Sequence, residues 1–114
     1  MAEDIHATAR YIPISPRKVR LVIDSVRGRD VQEALQLLSF MRERAATPVA
    51  KVVASAMANA EENFGVSRDD LIVHQIFADE GPTRRWRRFG ARGRFKPILH
   101  RSSHITVVLR EKAS

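Results

Sequence analysis

The chain has 114 residues, 44% of them apolar and 6% aromatic, which suits one domain with a small core. Twenty Lys and Arg against 13 Asp and Glu give a net charge of +7, which favours nucleic acid over acidic small molecules or an acidic protein, with an anionic membrane surface next. Cysteine is absent, which excludes disulfides, thiolate chemistry and cysteine-ligated zinc; no apolar run approaches the ~20 residues of a membrane span, and the acidic start Met1-Ala2-Glu3-Asp4 is no signal peptide, so a cytoplasmic protein is expected.

Residues 5–12 read as a short strand, with Ile5, Ala7, Ala9 and Tyr11 alternating with His6, Thr8, Arg10 and Ile12. Pro13 ends it, because proline cannot donate to a sheet ladder. Ser15-Pro16 is a helix start, and Val19, Val22, Ile23 and Val26 form one apolar stripe, so a first helix is expected over residues 16–27 with Gly28 as its stop. Arg17, Lys18, Arg20 and Arg27 lie off the stripe. Asp30-Val31-Gln32-Glu33 has the spacing of a capping box for a second helix over about 31–40.

A third helix runs to about Asn63 on the period of Val49, Val52, Val53, Ala56, Met57 and Ala60. It starts either with Thr47-Pro48 as cap and first residue, or near Arg42 with Pro48 kinking its second turn. After a polar loop at 67–70, residues 71–78 read as a β-branched strand, and Asp79-Glu80-Gly81-Pro82 interrupts the apolar run as a turn or a bulge. Residues 103–109 read as a further strand.

Between these two strands lies the densest charge in the chain. Residues 84–101 hold eight Lys or Arg and no Asp or Glu, where even spreading of the 20 basic residues would put about three. Trp86, Phe89 and Phe95 sit among the charges. A segment that repels itself this strongly cannot form its own core and calls for an anionic partner. Arginine forks bind phosphate bidentately, and guanidinium and aromatic faces stack on bases. Flanking strands suggest one long β-hairpin, turned by Gly90 and Gly93, with its basic end directed into folded RNA.

Three motifs carry a resemblance. They are Ile14-Ser15-Pro16-Arg17-Lys18-Val19-Arg20-Leu21-Val22, then Asp79-Glu80-Gly81-Pro82, then Arg92-Gly93-Arg94 with Arg101-Ser102-Ser103-His104-Ile105-Thr106-Val107. In these, and along nearly its whole length, the chain resembles the large-subunit ribosomal protein twenty-two family. The resemblance implies an α+β fold, with three helices packed on a three-stranded antiparallel sheet and a long protruding β-hairpin. It implies one domain over residues 1–114, with 79–103 as the extended arm. It also implies binding to large-subunit ribosomal RNA early in assembly, neighbouring ribosomal proteins as partners, and a hairpin tip that meets nascent peptide in the exit tunnel. Phe89, Gly90, Ala91, Arg92, Gly93 and Arg94 occupy the tip positions. The family often carries proline, arginine and alanine where this chain has Phe89, Gly90 and Phe95.

The RNA-binding residues expected on these grounds are Arg10, Arg17, Lys18, Arg20 and Arg27 on the body, and Arg84, Arg85, Trp86, Arg87, Arg88, Arg92, Arg94, Lys96, His100, Arg101, Ser103 and His104 on the arm and return strand. Each has a plainer reading. A helix needs a polar face regardless of partner, and Trp86 could pack across the hairpin as readily as stack on a base. The histidines lack metal-ligand spacing, and Ser103, His104 and Asp79 lack the nucleophile elbow of a hydrolase. No cofactor, metal, membrane contact, homo-oligomer or enzymatic activity is therefore expected. The principal rival is a DNA-bending architectural protein with a β-arm, which would place a proline or apolar wedge at its tip; Pro97 lies away from the tip.

Overall fold

Alternating apolar residues build three long strands, and the strands build one antiparallel sheet. β1 (Asp4–Ile12), β2 (Leu71–Glu80) and β5 (Ser103–Glu111) lie in the order β1-β5-β2, so β5 is central. The computed structural model describes residues 4–89 and 95–112, with side chains for 4–83 and 101–112. Three helices, α1 (Pro16–Ile23), α2 (Val31–Phe40) and α3 (Ala46–Asn63), pack on the sheet, α1 against β2 and α3 against β1 and β5. A single 3-10 turn, Arg68–Asp70, leads into β2. The α+β class and the three-stranded sheet are those expected.

The core lies between helices and sheet. Val19, Val22 and Ile23 of α1, Val49, Val53 and Ala56 of α3, and Ile5, Leu71, Val73, Ile76, Ile105, Val107 and Leu109 of the sheet are all buried there. Burying each large aliphatic side chain stabilises the fold by roughly 1.5–3 kcal/mol. The ends of β1 and β5 are tied by Arg110, opposite Asp4, whose Nε and Nη2 donate to the two carboxylate oxygens at 2.8 and 3.2 Å.

Several local expectations are corrected. α1 ends at Ile23 instead of Arg27. The Ser25 hydroxyl donates back to Val22 O at 2.6 Å, and Val26 and Arg27 both donate to Ile23 O, so the chain continues as turns. Val26 still reaches the core. Gly28, at φ 80°, then donates to Val73 O, while Val73 donates to Arg29 O. This pairs the turn to the free edge of β2.

The capping box before α2 does not form. Asp30 makes no side-chain cap bond and instead sits 3.2 Å from Lys112 Nζ, while Glu33 takes a hydrogen bond from Arg29. α3 begins between the two alternatives, at Ala46. Pro48 is thus in the first turn, where an amide has no partner within the helix and its loss kinks nothing.

The strands carry two bulges. In β1 the register runs from Asp4↔Arg110 to Ala9↔Ile105 and resumes at Ile12↔Ser103, so Arg10 and Tyr11 together face His104. Tyr11 has φ 58°, a left-handed conformation that costs a non-glycine residue roughly 1–2 kcal/mol. The bulge throws Tyr11 outward, 64% exposed, against the inward alternation expected, and Ile12 packs on the core in its place. In β2 the register shifts between Val73 and Gln75. This extra residue lets Leu71 and Val73, then Ile76 and Ala78, all face the core despite the change of parity.

Asp79 and Glu80 extend β2 opposite His104 and Ser103 instead of breaking it. Beyond them, β3 (Arg84–Phe89) and β4 (Phe95–His100) pair antiparallel as a separate two-stranded sheet, from Arg84↔His100 to Phe89↔Phe95.

Candidate nucleic-acid interface

α1 presents the expected division of faces. Pro16, Val19, Val22 and Ile23 are buried, and Arg17, Lys18, Arg20 and Leu21 are exposed. Two basic residues, one on α1 and one in the turn after it, also have structural partners. Arg20 Nη2 donates to Ala78 O at 2.9 Å. Arg27, in the turn after α1, sends Nη2 to Ile76 O at 2.7 Å and Nη1 to Asp24 at 2.8 Å. Both carbonyls belong to β2, an edge strand, so these forks cover an edge that would otherwise invite pairing with another chain.

Two hollows flank α1. The larger, about 750 Å³, lies between α1 and the turn before α3, and is lined by Ile14, Leu21, Val22, Met41, Arg44 and Arg101 among others. The smaller, about 560 Å³, lies on the other side, toward the arm's root, with Arg17, Arg20 and Glu80 on its wall. Ser15, Lys18, Leu21 and Arg101 line both. Ser15, Lys18 and Leu21 are three apart, so they form one ridge along the helix.

The electrostatics are one-sided. Arg17, Lys18, Arg20, Arg44 and Arg101 border the hollows, against Glu43 and Glu80. None of those five cations has a carboxylate within ion-pair distance among the described residues. Elsewhere Arg27, Arg29, Arg68, Arg110 and Lys112 each have one.

At the arm's root, Gly81 N–H donates to Ser102 O at 2.9 Å and Ser102 Oγ donates to Pro82 O at 2.8 Å. His104 is half-buried. Its Nδ1 accepts the Tyr11 N–H at 3.1 Å, and its ring meets the Tyr11 ring edge-on at 5.0 Å. That bond requires Nδ1 to be unprotonated.

The residues expected to meet RNA are thus distributed unevenly. Arg17, Lys18, Arg20 and Arg101 are brought together around the hollows. Arg10 is exposed at the β1 bulge, and Arg27 is exposed with its fork engaged. Ser103 is corrected: it is wholly buried, its hydroxyl donates to Ile14 O at 2.5 Å, and it has no surface to offer RNA. Arg84, Arg85, Trp86, Arg87, Arg88 and Phe89 lie on β3, and Lys96 and His100 on β4; their side chains are outside the described set. Gly90, Ala91, Arg92, Gly93 and Arg94 lie outside the described residues altogether.

Sequence reasoning missed Arg44, Leu21 and Met41. Leu21 stands within the first motif, but its 72% exposure and its place between the two hollows show only in the fold. Arg42 and Arg44, two arginines in a turn between helices, were the available signal for this part of the rim. Among the described residues no cluster of three or more His, Cys, Asp or Glu could hold a metal, and no helix is long and apolar enough to cross a membrane.

A three-stranded sheet backed by helices, a separate two-stranded sheet rich in arginine, and a rim of cations with no ion-paired carboxylate among the described residues define a small, basic α+β protein. Residues 7–110 match the family model described as Ribosomal protein L22p/L17e. Curated relatives include the large ribosomal subunit protein uL22 of Desulfitobacterium hafniense (strain DSM 10664 / DCB-2), 52% identical over 106 residues covering 93% of each chain. The protein of the same name from Thermoanaerobacter sp. (strain X514) is 51% identical over 109 residues, covering 96% of this chain and 98% of its own. The chain belongs to the ribosomal protein L22p/L17e family, a family of structural ribosomal proteins and not of enzymes.

Proposed function

We propose that the chain is a structural constituent of the large ribosomal subunit, that it binds large-subunit ribosomal RNA during early assembly, and that its arm lines the nascent-peptide exit tunnel. The observation that carries the RNA reading is the charge of residues 84–101, eight Lys or Arg with no acid. The β3–β4 register sets Arg88 directly opposite Lys96. Like charges in that position oppose pairing unless an anion lies between them. Phosphates supply such anions. The unpaired cations around α1 extend the same surface onto the body. Shape and phosphate contacts dominate, with stacking second and base reading minor.

The tunnel role rests on the family resemblance. It assigns Phe89, Gly90, Ala91, Arg92, Gly93 and Arg94 to the tip, residues 79–103 to the arm, and nascent peptide and neighbouring ribosomal proteins to the partners. The test is binding of the full chain to large-subunit ribosomal RNA across a salt series, with duplex DNA as competitor. Affinity should fall by about 0.7–0.9 log units per log unit of salt for each phosphate neutralised. A flat salt response, a preference for duplex DNA, or failure to co-sediment with large subunits would each overturn the proposal. Replacing residues 89–94 by a short Gly-Ser turn should leave the body folded while altering the tunnel wall.

A further inference from the structure

Resting on the RNA-binding reading above, we propose that the groove across α1 seats a single RNA strand and that its larger hollow takes the base of one unstacked nucleotide. The floor and wall there are apolar: Ile14, Leu21, Val22 and Met41. The charged lining is mainly cationic, with Lys18, Arg44 and Arg101 against the single carboxylate of Glu43. An apolar recess bordered by three cations and one carboxylate matches a base flanked by its own phosphates. A regular duplex does not fit it, because a duplex presents a convex phosphate surface and keeps its bases stacked. RNA loops and bulges are where bases are splayed out and available to side chains. The hollow, at about 750 Å³, falls within the range of about 300–1,000 Å³ typical of small-ligand sites, with room for a base and its ribose.

Leu21 gives the proposal its direction. One exposed leucine by itself means little. This one stands on the ridge between the two hollows, in line with Ser15 and Lys18, where the strand must cross α1. The smaller hollow, with Arg17 and Arg20 on its wall, then takes the next phosphates toward the arm's root. A neighbouring protein is the less favoured occupant. Five cations with no carboxylate at ion-pair distance among the described residues, against two carboxylates on the lining, would require an unusually acidic segment, whereas RNA supplies a negative charge at every nucleotide.

The test uses the full chain and a transcript of large-subunit ribosomal RNA containing 4-thiouridine. Leu21→Ser and Met41→Ser are each expected to weaken binding by about fivefold or more, the scale of one lost base contact, with the salt slope unchanged. Lys18→Gln and Arg101→Gln should instead each lower the slope by about 0.7–0.9. After irradiation of the wild-type complex, a cross-linked nucleotide is expected on the peptide carrying Leu21 or Met41. If wild type binds the transcript but Leu21→Ser binds equally well and neither peptide is cross-linked, the groove assignment fails and the general RNA reading stands. If wild type does not bind the transcript, both fail. In assembled subunits, a photoreactive group at position 21 that captures a protein instead of RNA also overturns the assignment.

Discussion

Gly81 tests whether the arm's root is held by close packing. A Cβ added there would overlap Ser102 Oγ and stand 3.3 Å from the Ser102 carbonyl carbon and from His104 Cε1. The hydroxyl can rotate away, but it would then lose its 2.8 Å bond to Pro82 O, worth about 0.5–1.5 kcal/mol. The carbonyl carbon is backbone and cannot rotate away. Gly81 N–H is itself bonded to Ser102 O, so separating the strands to relieve the contact strains that bond as well. Gly81→Ala should therefore destabilise by about 1–3 kcal/mol, the usual range for overpacking. Each kcal/mol corresponds to a fall in Tm of about 4–8 °C for a domain near this size. Thermal and urea unfolding of Gly81→Ala, Ser102→Ala and the double variant form a cycle. The double variant should lose less than the sum of the singles, because removing the hydroxyl removes the worst overlap. A Gly81→Ala protein within about 0.5 kcal/mol of wild type, or strict additivity with Ser102→Ala, would refute the packing argument.

At Gly28 the reasoning reverses: no atom lies within 4 Å of a built Cβ, but φ is 80°. Alanine there should cost about 1–2 kcal/mol through backbone conformation alone and asparagine less, read from thermal melts; equal losses would contradict this. Ser103→Ala removes the side-chain donor to Ile14 O and should cost about 1–3 kcal/mol in urea unfolding, with RNA affinity unchanged where the protein is folded. The hydrogen bond from Arg110 holds the Asp4 carboxyl below its usual pKa. The resulting stabilisation is present above the unfolded-state value of about 3.9 and is lost as pH falls through the lower native value. Plots of Tm against pH from 7 to 2 should therefore fall less steeply in acid for Asp4→Asn than for wild type, and parallel curves would count against the pair.

The parts of this fold legible in the sequence are those set by local periodicity. Val19, Val22, Ile23 and Val26 all reach the core because spacings of three and four place them on one face whether or not the helix is perfect. Of the sheet strands, β1 was legible from alternation, whereas β2 was legible from its β-branched residues, since the extra residue at 74 breaks its period. The departures come from partners distant in the chain. Asp30 gives up its cap role to Lys112, and Tyr11 turns outward because β1 carries one residue more than β5 at that point. Neither partner can be inferred from neighbours in sequence. Arg17, Lys18 and Arg20 were recognisable as a basic face, but their alignment with Arg44 and Arg101 depends on how the helices cross. Ser103 looked like a polar residue in a basic motif, and only tertiary packing buries it.

The irregularities of the sheet share a direction. In β1 the extra residue lies at 10–11, facing His104 of β5. In β2 it lies at 74, between the partners of Leu109 and Val108. At the arm's root three residues, 81–83, stand against two, 101–102, between Glu80↔Ser103 and Arg84↔His100. Each time the surplus is on the strand that pairs with β5 or its continuation into β4, never on that strand. The returning strand is thus the regular spine, and its neighbours bend to fit it. Bulges increase local twist and redirect the chain beyond them. Two of the three sit within a few residues of His104, where β2 and β5 give way to β3 and β4. The same place carries Arg101 into both hollows beside α1. If the arm and the groove both bind RNA as proposed, a change of register at the root should disturb both together, because Arg101 stands at that root and also lines both hollows.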